Sequence, residues 1–342
     1  MGTSGTRVVP PPEERPVAAS LPAVPVRAAA DRHCAPWAHA PRWSAARRTT
    51  AFTPGTGLFR EDPYGLVPWP FGRDRATPDG EQVTEMLTAL RQGLIRRYGT
   101  ADEAAIERAA RLTGRINVPV SFHVLTDGRR GRMSREAVRR QIAVLNAAYS
   151  GRGRGSADTG VRFRLVSYDV TVNAAWFRRP HRYERPMKSA LRRGGAETLN
   201  LYSAGVGARI IGLSTYPHNY RARPIEDGVV VDYRSFPGGV YRNYSRGYTA
   251  VHEVGHWLGL FHTFENGCNS PGDGVDDTPY QAVPTDGCPE SKDTCPEEPG
   301  ADPVHNFMDY TWDTCMHQFT PGQGRRIRAS WLVFRTSAAD AR

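Results

Sequence analysis

Lysine is almost missing from this chain of 342 residues: of 45 basic side chains, only Lys188 and Lys292 are lysines. The rest are arginines, scattered without aromatic interleaving or a recognisable binding motif. The net charge of +10 is therefore read as coding bias rather than as a phosphate footprint, and no nucleic-acid partner is expected. Also lacking is any run of roughly 18 uninterrupted apolar residues, the length a membrane span requires, so no membrane partner is expected. Cysteine is scarce at five, and none of the spacings is the C-x2-C of a zinc ribbon or finger. Cys34 stands alone, whereas Cys268, Cys288, Cys295 and Cys315 share one acidic segment. Two disulfides are expected there, which implies an oxidising compartment and hence a secreted, extracellular protein. A clear secretory leader is missing too: residues 1–11 hold one arginine and no apolar core, and 17–30 are apolar but broken by Pro22 and Pro25.

What is present fits a loop-rich globular monomer, with 34 Gly, 27 Pro and 39% apolar residues. Residues 1–78 are dense in Pro, Ala, Arg and Gly without periodicity and are expected to form a mobile leader or propeptide. Val83, Met86, Leu87, Leu90, Leu94 and Ile95 then recur at helical spacing, with a second short helix over 104–112, so 79–115 reads as a helical prosegment. A catalytic domain is expected over 116–342, split into subdomains at 262/263. Residues 116–125 alternate as a strand does, although Pro119 favours an edge or a strand beginning. Ser134 predicts a capped helix over 135–149 with Val138, Ile142, Leu145 and Tyr149 on one face. Further strands are expected at 161–172, 198–202 and 228–233. This order gives an α/β fold class: a mixed sheet with a backing helix. A helix over 248–260 ending at Gly259, an irregular stapled segment over 263–313 and a terminal helix from Pro321 to about residue 336 complete the reading.

The chemistry concentrates in His252-Glu253-Val254-Gly255-His256-Trp257-Leu258-Gly259-Leu260-Phe261-His262. Two imidazoles four residues apart on a helix lie on one face at a distance that one zinc ion bridges. A hydrolase also needs a carboxylate beside an attacking water, and Glu253 is placed for that. His262 cannot reach the same ion from a straight helix; Gly259 permits a turn through positive φ that swings it back. Between Thr263 and Asp313 twelve acidic residues face one lysine, a setting suited to a cation.

These residues resemble the metzincin metallopeptidases, whose signature is H-E-x-x-H-x-x-G-x-x-H followed by a Met-turn. Within them the chain is most similar to the pappalysin family and its small secreted members. The likeness rests on His252 to His262, Gly267-Cys268, 273–279 (DGVDDTP), Cys288-Pro289, Thr294-Cys295, Asn306-Phe307-Met308-Asp309-Tyr310, Cys315-Met316 and Phe319-Thr320. Phe122-His123-Val124, 141–149 and 173–176 add to it, so that it spans about 117–334. The resemblance implies a metzincin-like domain with a cleft beneath sheet and active-site helix, and a secreted zinc metalloendopeptidase acting on proteins or peptides. It implies Met308 as the Met-turn methionine, Tyr310 as the oxyanion stabiliser, disulfides Cys268–Cys295 and Cys288–Cys315, and calcium near Asp273 and Thr278. Sequence by itself allows three cysteine connectivities. Family preference for a basic residue after the scissile bond would call on Asp309 or Asp313.

Cys34 carries a separate expectation, a thiolate that occupies the metal's open position until the leader is cut away. A competing reading is a secreted zinc-containing binding protein without turnover. Glu253 speaks against it, since a structural zinc site has no use for a base and closes its fourth position.

Overall fold

The computed structural model describes residues 78–110, 115–207 and 210–336; Cys34 and nearly all of the expected leader lie outside the described residues. The first helix, α1 (Gly80–Tyr98), starts where Asp79 and Gln82 cap each other reciprocally and stops at Gly99, whose φ of 72° lets the chain leave the helix. Asp102 accepts from the amides of Ala104 and Ala105 and opens α2 (Glu103–Ala110). The chain then runs through β1 (Ile116–Thr126), the Ser134-capped α3 (Arg135–Tyr149), β2 (Val161–Val172), α4 (Ala174–Arg178), α5 (Glu184–Leu191) and β3 (Leu199–Ala204). After it come β4 (Gly212–Leu213), β5 (Val229–Asp232), α6 (Tyr248–Trp257) and α7 (Pro321–Ser330), the last continuing into a π turn, Trp331–Arg335.

The sheet has the order β2-β1-β3-β5-β4, parallel except for β4, which runs antiparallel along β5. This is the mixed sheet expected from the sequence. Pro119 nevertheless lies in an inner strand. The ring is tolerated because β3 joins β1 only from Val120 onward, so at Pro119 the strand has one neighbour and no second ladder to serve. The middle strands are covered on both faces, which explains their near-continuous apolar character. Leu199, Leu201, Val229 and Val231 pack with Val138, Leu145 and Tyr149 of α3 and with Val251, Val254 and Trp257 of α6. Tyr202, Ala204 and Val230 face the other way, onto Phe177 of α4 and Met187 of α5.

The end of one helix moved, and three short elements were not foreseen. α6 ends at Trp257 rather than 260, because the reversal at Gly259 begins one turn earlier: Leu260 donates back to the Gly255 carbonyl at 2.9 Å and Gly259 to that of His256. β4, with two residues, is too short to leave an alternating pattern. α4 and α5, at five and eight residues, are too short for a helical one. Both disulfides, Cys268–Cys295 and Cys288–Cys315, form with the connectivity that the family resemblance implies.

A buried ion pair ties the end of the described chain to the end of α6. Arg335, 1% exposed, donates to Asp227 Oδ2 at 2.8 Å and to the Trp257 carbonyl at 2.9 Å. Its guanidinium lies 3.8 Å from the Trp257 ring centroid, while the indole N–H donates to the same carboxylate oxygen at 3.0 Å. Removing one partner of such a pair strands a charge in the interior. Asp227→Ala should therefore lower the free energy of unfolding by about 3–5 kcal/mol, seen as an earlier urea midpoint; a midpoint equal to that of the wild type would show that the pair does not hold this region.

Candidate metal centre

Helix α6 is buried along both of its sides, an arrangement a ten-residue helix adopts only deep in a domain. His252 and His256 sit one turn apart on it, and Gly259, at φ 101°, reverses the chain so that His262 comes back to them. No residue with a Cβ fits easily there, since that carbon would press on Ser330 of α7. The three Nε2 atoms converge: His256 Nε2 is 3.1 Å from that of His252 and 3.2 Å from that of His262. All three rings are buried.

Each ring is aimed by an oxygen on its far side. His252 Nδ1 donates to the Phe307 carbonyl at 2.7 Å, His256 Nδ1 to that of Leu260 at 2.8 Å, and His262 Nδ1 to Glu265 Oε2 at 3.1 Å. Tyr216 Oη stands 3.3 Å from the same Nδ1 of His256. With the proton held at Nδ1, each Nε2 presents a lone pair, and three lone pairs facing one another repel unless a cation lies among them. Tetrahedral zinc with Zn–N of about 2.0–2.1 Å places its nitrogens about 3.3–3.4 Å apart, so the donor set fits that ion. Among the described residues this is the one group of His, Cys, Asp or Glu whose ligand atoms lie close enough together, all within 4.8 Å of one another.

Other side chains gather around the trio. Glu253, 1% exposed, lies against β4: a Cβ on Gly212 would collide with its carboxylate, and Ser214 Oγ donates to its backbone carbonyl at 2.8 Å. Tyr310 Oη is 3.2 Å from His262 Nε2. Met308 packs beneath α6 with its sulfur where a side chain on Gly255 would go. Beside His252 and Glu253 a small pocket is lined by Tyr244, Tyr248, Asp309 and Asp313. Asp309 accepts from the amides of Thr285 and Tyr310, and Asp313 from that of Arg246.

His252, Glu253, His256, His262, Met308 and Tyr310, all singled out from the sequence, thus meet in one place. Asp273 and Thr278 do not; they line a separate cavity of about 950 Å³ between α1, α2 and the 270–280 loop. Burial pushes the Asp273 carboxyl up to about 7, against a smaller opposing pull from the Val275 amide that donates to it. Sequence reasoning missed Gly212, Tyr216 and Glu265. Only Glu265 left a usable sign, an acid three residues past the last imidazole.

A family model described as Pregnancy-associated plasma protein-A, a peptidase family, matches residues 212–331. An extracellular metalloprotease of Arthroderma benhamiae is 40% identical over 231 residues, covering 66% of this chain and 75% of the relative. One of Podospora anserina is 40% identical over 280 residues, covering 79% and 92%. Among solved structures, Tannerella forsythia mature mirolysin in complex with a cleaved peptide aligns with a TM-score of 0.56 at 26% identity, over 66% of this chain and 98% of that one. A promirolysin mutant aligns equally well, with a TM-score of 0.56 and 26% identity, over 72% and 93%.

The carboxylate behind His262 gives a direct test of the centre. Glu265→Ala should weaken zinc retention by roughly 10- to 100-fold in competition with a chromogenic chelator. Unchanged retention would mean that Glu265 does not orient the ring.

Proposed function

The chain belongs to the pappalysin peptidases, the family described as pregnancy-associated plasma protein-A, and from that membership we propose how its residues divide the hydrolysis of a peptide bond. It is a secreted zinc metalloendopeptidase whose substrates are proteins or peptides. The observation that carries the division of roles is the convergence of three Nε2 atoms beside a buried carboxylate.

In this reading His252, His256 and His262 hold the zinc. When bound, zinc supplies Lewis-acid polarisation of the substrate carbonyl and acidifies the attacking water. Glu253 accepts the proton that this water loses and passes it to the amine nitrogen as the C–N bond breaks. Tyr310 donates its hydroxyl hydrogen to the carbonyl oxygen while negative charge gathers there. Met308 supports the imidazoles from below. The substrate backbone pairs with the outer edge of β4, which carries no strand partner among the described residues; main-chain hydrogen bonds there align the scissile bond regardless of sequence. Gly212 on that strand leaves the room that the Glu253 side chain occupies. Specificity comes from the pocket beside Glu253, where the carboxylates of Asp309 and Asp313 favour a basic residue after the cleaved bond. The enzyme acts as a monomer, without nucleic acid or membrane; no described helix is long and apolar enough to cross a bilayer.

Glu253→Gln should lower kcat on a quenched peptide by on the order of 10³-fold while leaving the melting temperature within a few degrees, and a zinc chelator should silence the wild type. In the same assay Arg after the cleaved bond should outperform Glu. A Gln variant as fast as the wild type would refute the assigned base.

We propose further that Asp273 and Thr278 supply oxygens to calcium, since a buried carboxylate has the most to gain from a hard cation. Without the ion, the raised Asp273 value means that the folded state holds a proton the unfolded chain has released, so stability falls as pH rises from 3.8 through about 7. At pH 8 calcium should raise the melting temperature by on the order of 5 °C over chelator at fixed zinc. Asp273→Asn should abolish that rise and, in chelator, melt above the wild type. No calcium effect on the wild type would remove the site.

A further inference from the structure

Helices α1 and α2, read from the sequence as part of a prosegment, are built into the back of the metal centre. Val83 and Met86 of α1 form one apolar cluster with Tyr216 and Phe261. Leu90 and Leu94 join Ile106 of α2 in another, with Ala329 of α7 and Leu332, Val333 and Phe334 of the π turn. The fit is close enough that a Cβ on Gly93 would collide with Val333. Arg97 donates to the Leu332 carbonyl, and Arg326 of α7 pairs with Glu103 of α2 at 2.8 Å.

What these helices press upon touches the imidazoles. Tyr216 lies with one edge against α1 and its ring 5.4 Å from that of His256, in edge-to-face packing, with Oη 3.3 Å from Nδ1. The same ring meets Phe261, the residue before His262, at 5.3 Å. Two of the three imidazoles are thereby braced through Tyr216. The α7 side of the stack bears on the reversal at Gly259, where Ser330 fills the space next to the backbone.

We propose that α1 and α2 stay with the mature enzyme as the rear wall of its metal centre, and that Tyr216 is the positioning residue through which α1 holds His256. Any cut that removes the Pro/Ala/Arg-rich leader then falls before Asp79. This rests on the reading that His252, His256 and His262 hold the metal. Shedding the helices would expose both apolar clusters to water and release Tyr216 from one side, so cleavage after α2 would loosen the ion rather than activate the enzyme.

The test starts from the full chain, secreted and allowed to reach its active form, with N-terminal sequencing and intact mass of that form. The expected species begins at or before Asp79. A fully active, zinc-loaded species beginning after Ala110 overturns the proposal. In parallel, wild type, Tyr216→Phe and Tyr216→Leu are loaded with cobalt and followed by visible absorption and by the rate of transfer to a chelator. Tyr216→Leu should show an altered cobalt spectrum and release the ion roughly 10- to 100-fold faster, and Tyr216→Phe, which keeps the ring, should recover most of the difference. A Tyr216→Leu protein with wild-type spectrum and release rate overturns the positioning role; should Tyr216→Leu fail to fold, the Phe variant and the mature N-terminus still decide. A wild-type protein that takes up no cobalt and cleaves nothing fails the reading of the centre itself, and is distinguishable from failure of this proposal alone.

Discussion

Three imidazole lone pairs aimed at one point are the constraint on which the rest of the molecule depends. Left to themselves they repel, and each ring could relieve the repulsion by rotating or by moving its proton. The protein prevents both by placing an acceptor behind every ring: the carbonyls of Phe307 and Leu260 and the carboxylate of Glu265. These acceptors come from separate stretches of chain. Phe307 belongs to the stapled C-terminal segment, Leu260 to the reversal after α6, and Glu265 to the loop beyond His262. The disulfides and the buried Asn306–Gln323 pair, which exchanges two side-chain hydrogen bonds at 2.9 and 3.0 Å, keep the first of these in place. The metal centre is thus where the reversal after α6 and the disulfide-stapled segment are required to agree.

Local chemistry was legible in the sequence wherever it depends on near neighbours. The spacing of His252 and His256 is a helical one, Gly259 is the residue a reversal demands, and the caps of α3 and α7 stand within three residues of the amides they serve. The long strands β1 and β2 were equally plain. Contacts across long separations were not. Tyr216 reaches His256 over forty residues, and Asp227 reaches Arg335 over 108. Neither carries a pattern, because an isolated tyrosine or aspartate in a loop looks the same whether it faces water or an imidazole. β4 escaped for the opposite reason: two residues are fewer than any periodicity can use, although they form the edge next to Glu253.

The charge distribution follows the same division. Arginine dominates the composition, yet the described region contains arginines that serve as internal struts as well as exposed ones: Arg335 on Trp257, Arg326 on Glu103 and Arg234 on Asp232. A planar guanidinium can stack and bridge at once, which a lysine cannot do. Lys188 shows the alternative at its limit, 1% exposed and held between Glu184 and the Glu226 carbonyl. A strongly basic composition therefore says less about partners here than about how interior polar groups are satisfied.

The buried Asp227–Arg335 pair also sets an order of events. It fixes the end of α6, and α7 backs the reversal that returns His262, so the ligand geometry is incomplete until residue 335 has left the ribosome. A growing chain with every histidine already synthesised still lacks the brace behind them. The bracing of the imidazoles therefore waits on Arg335, far beyond the last of them in sequence.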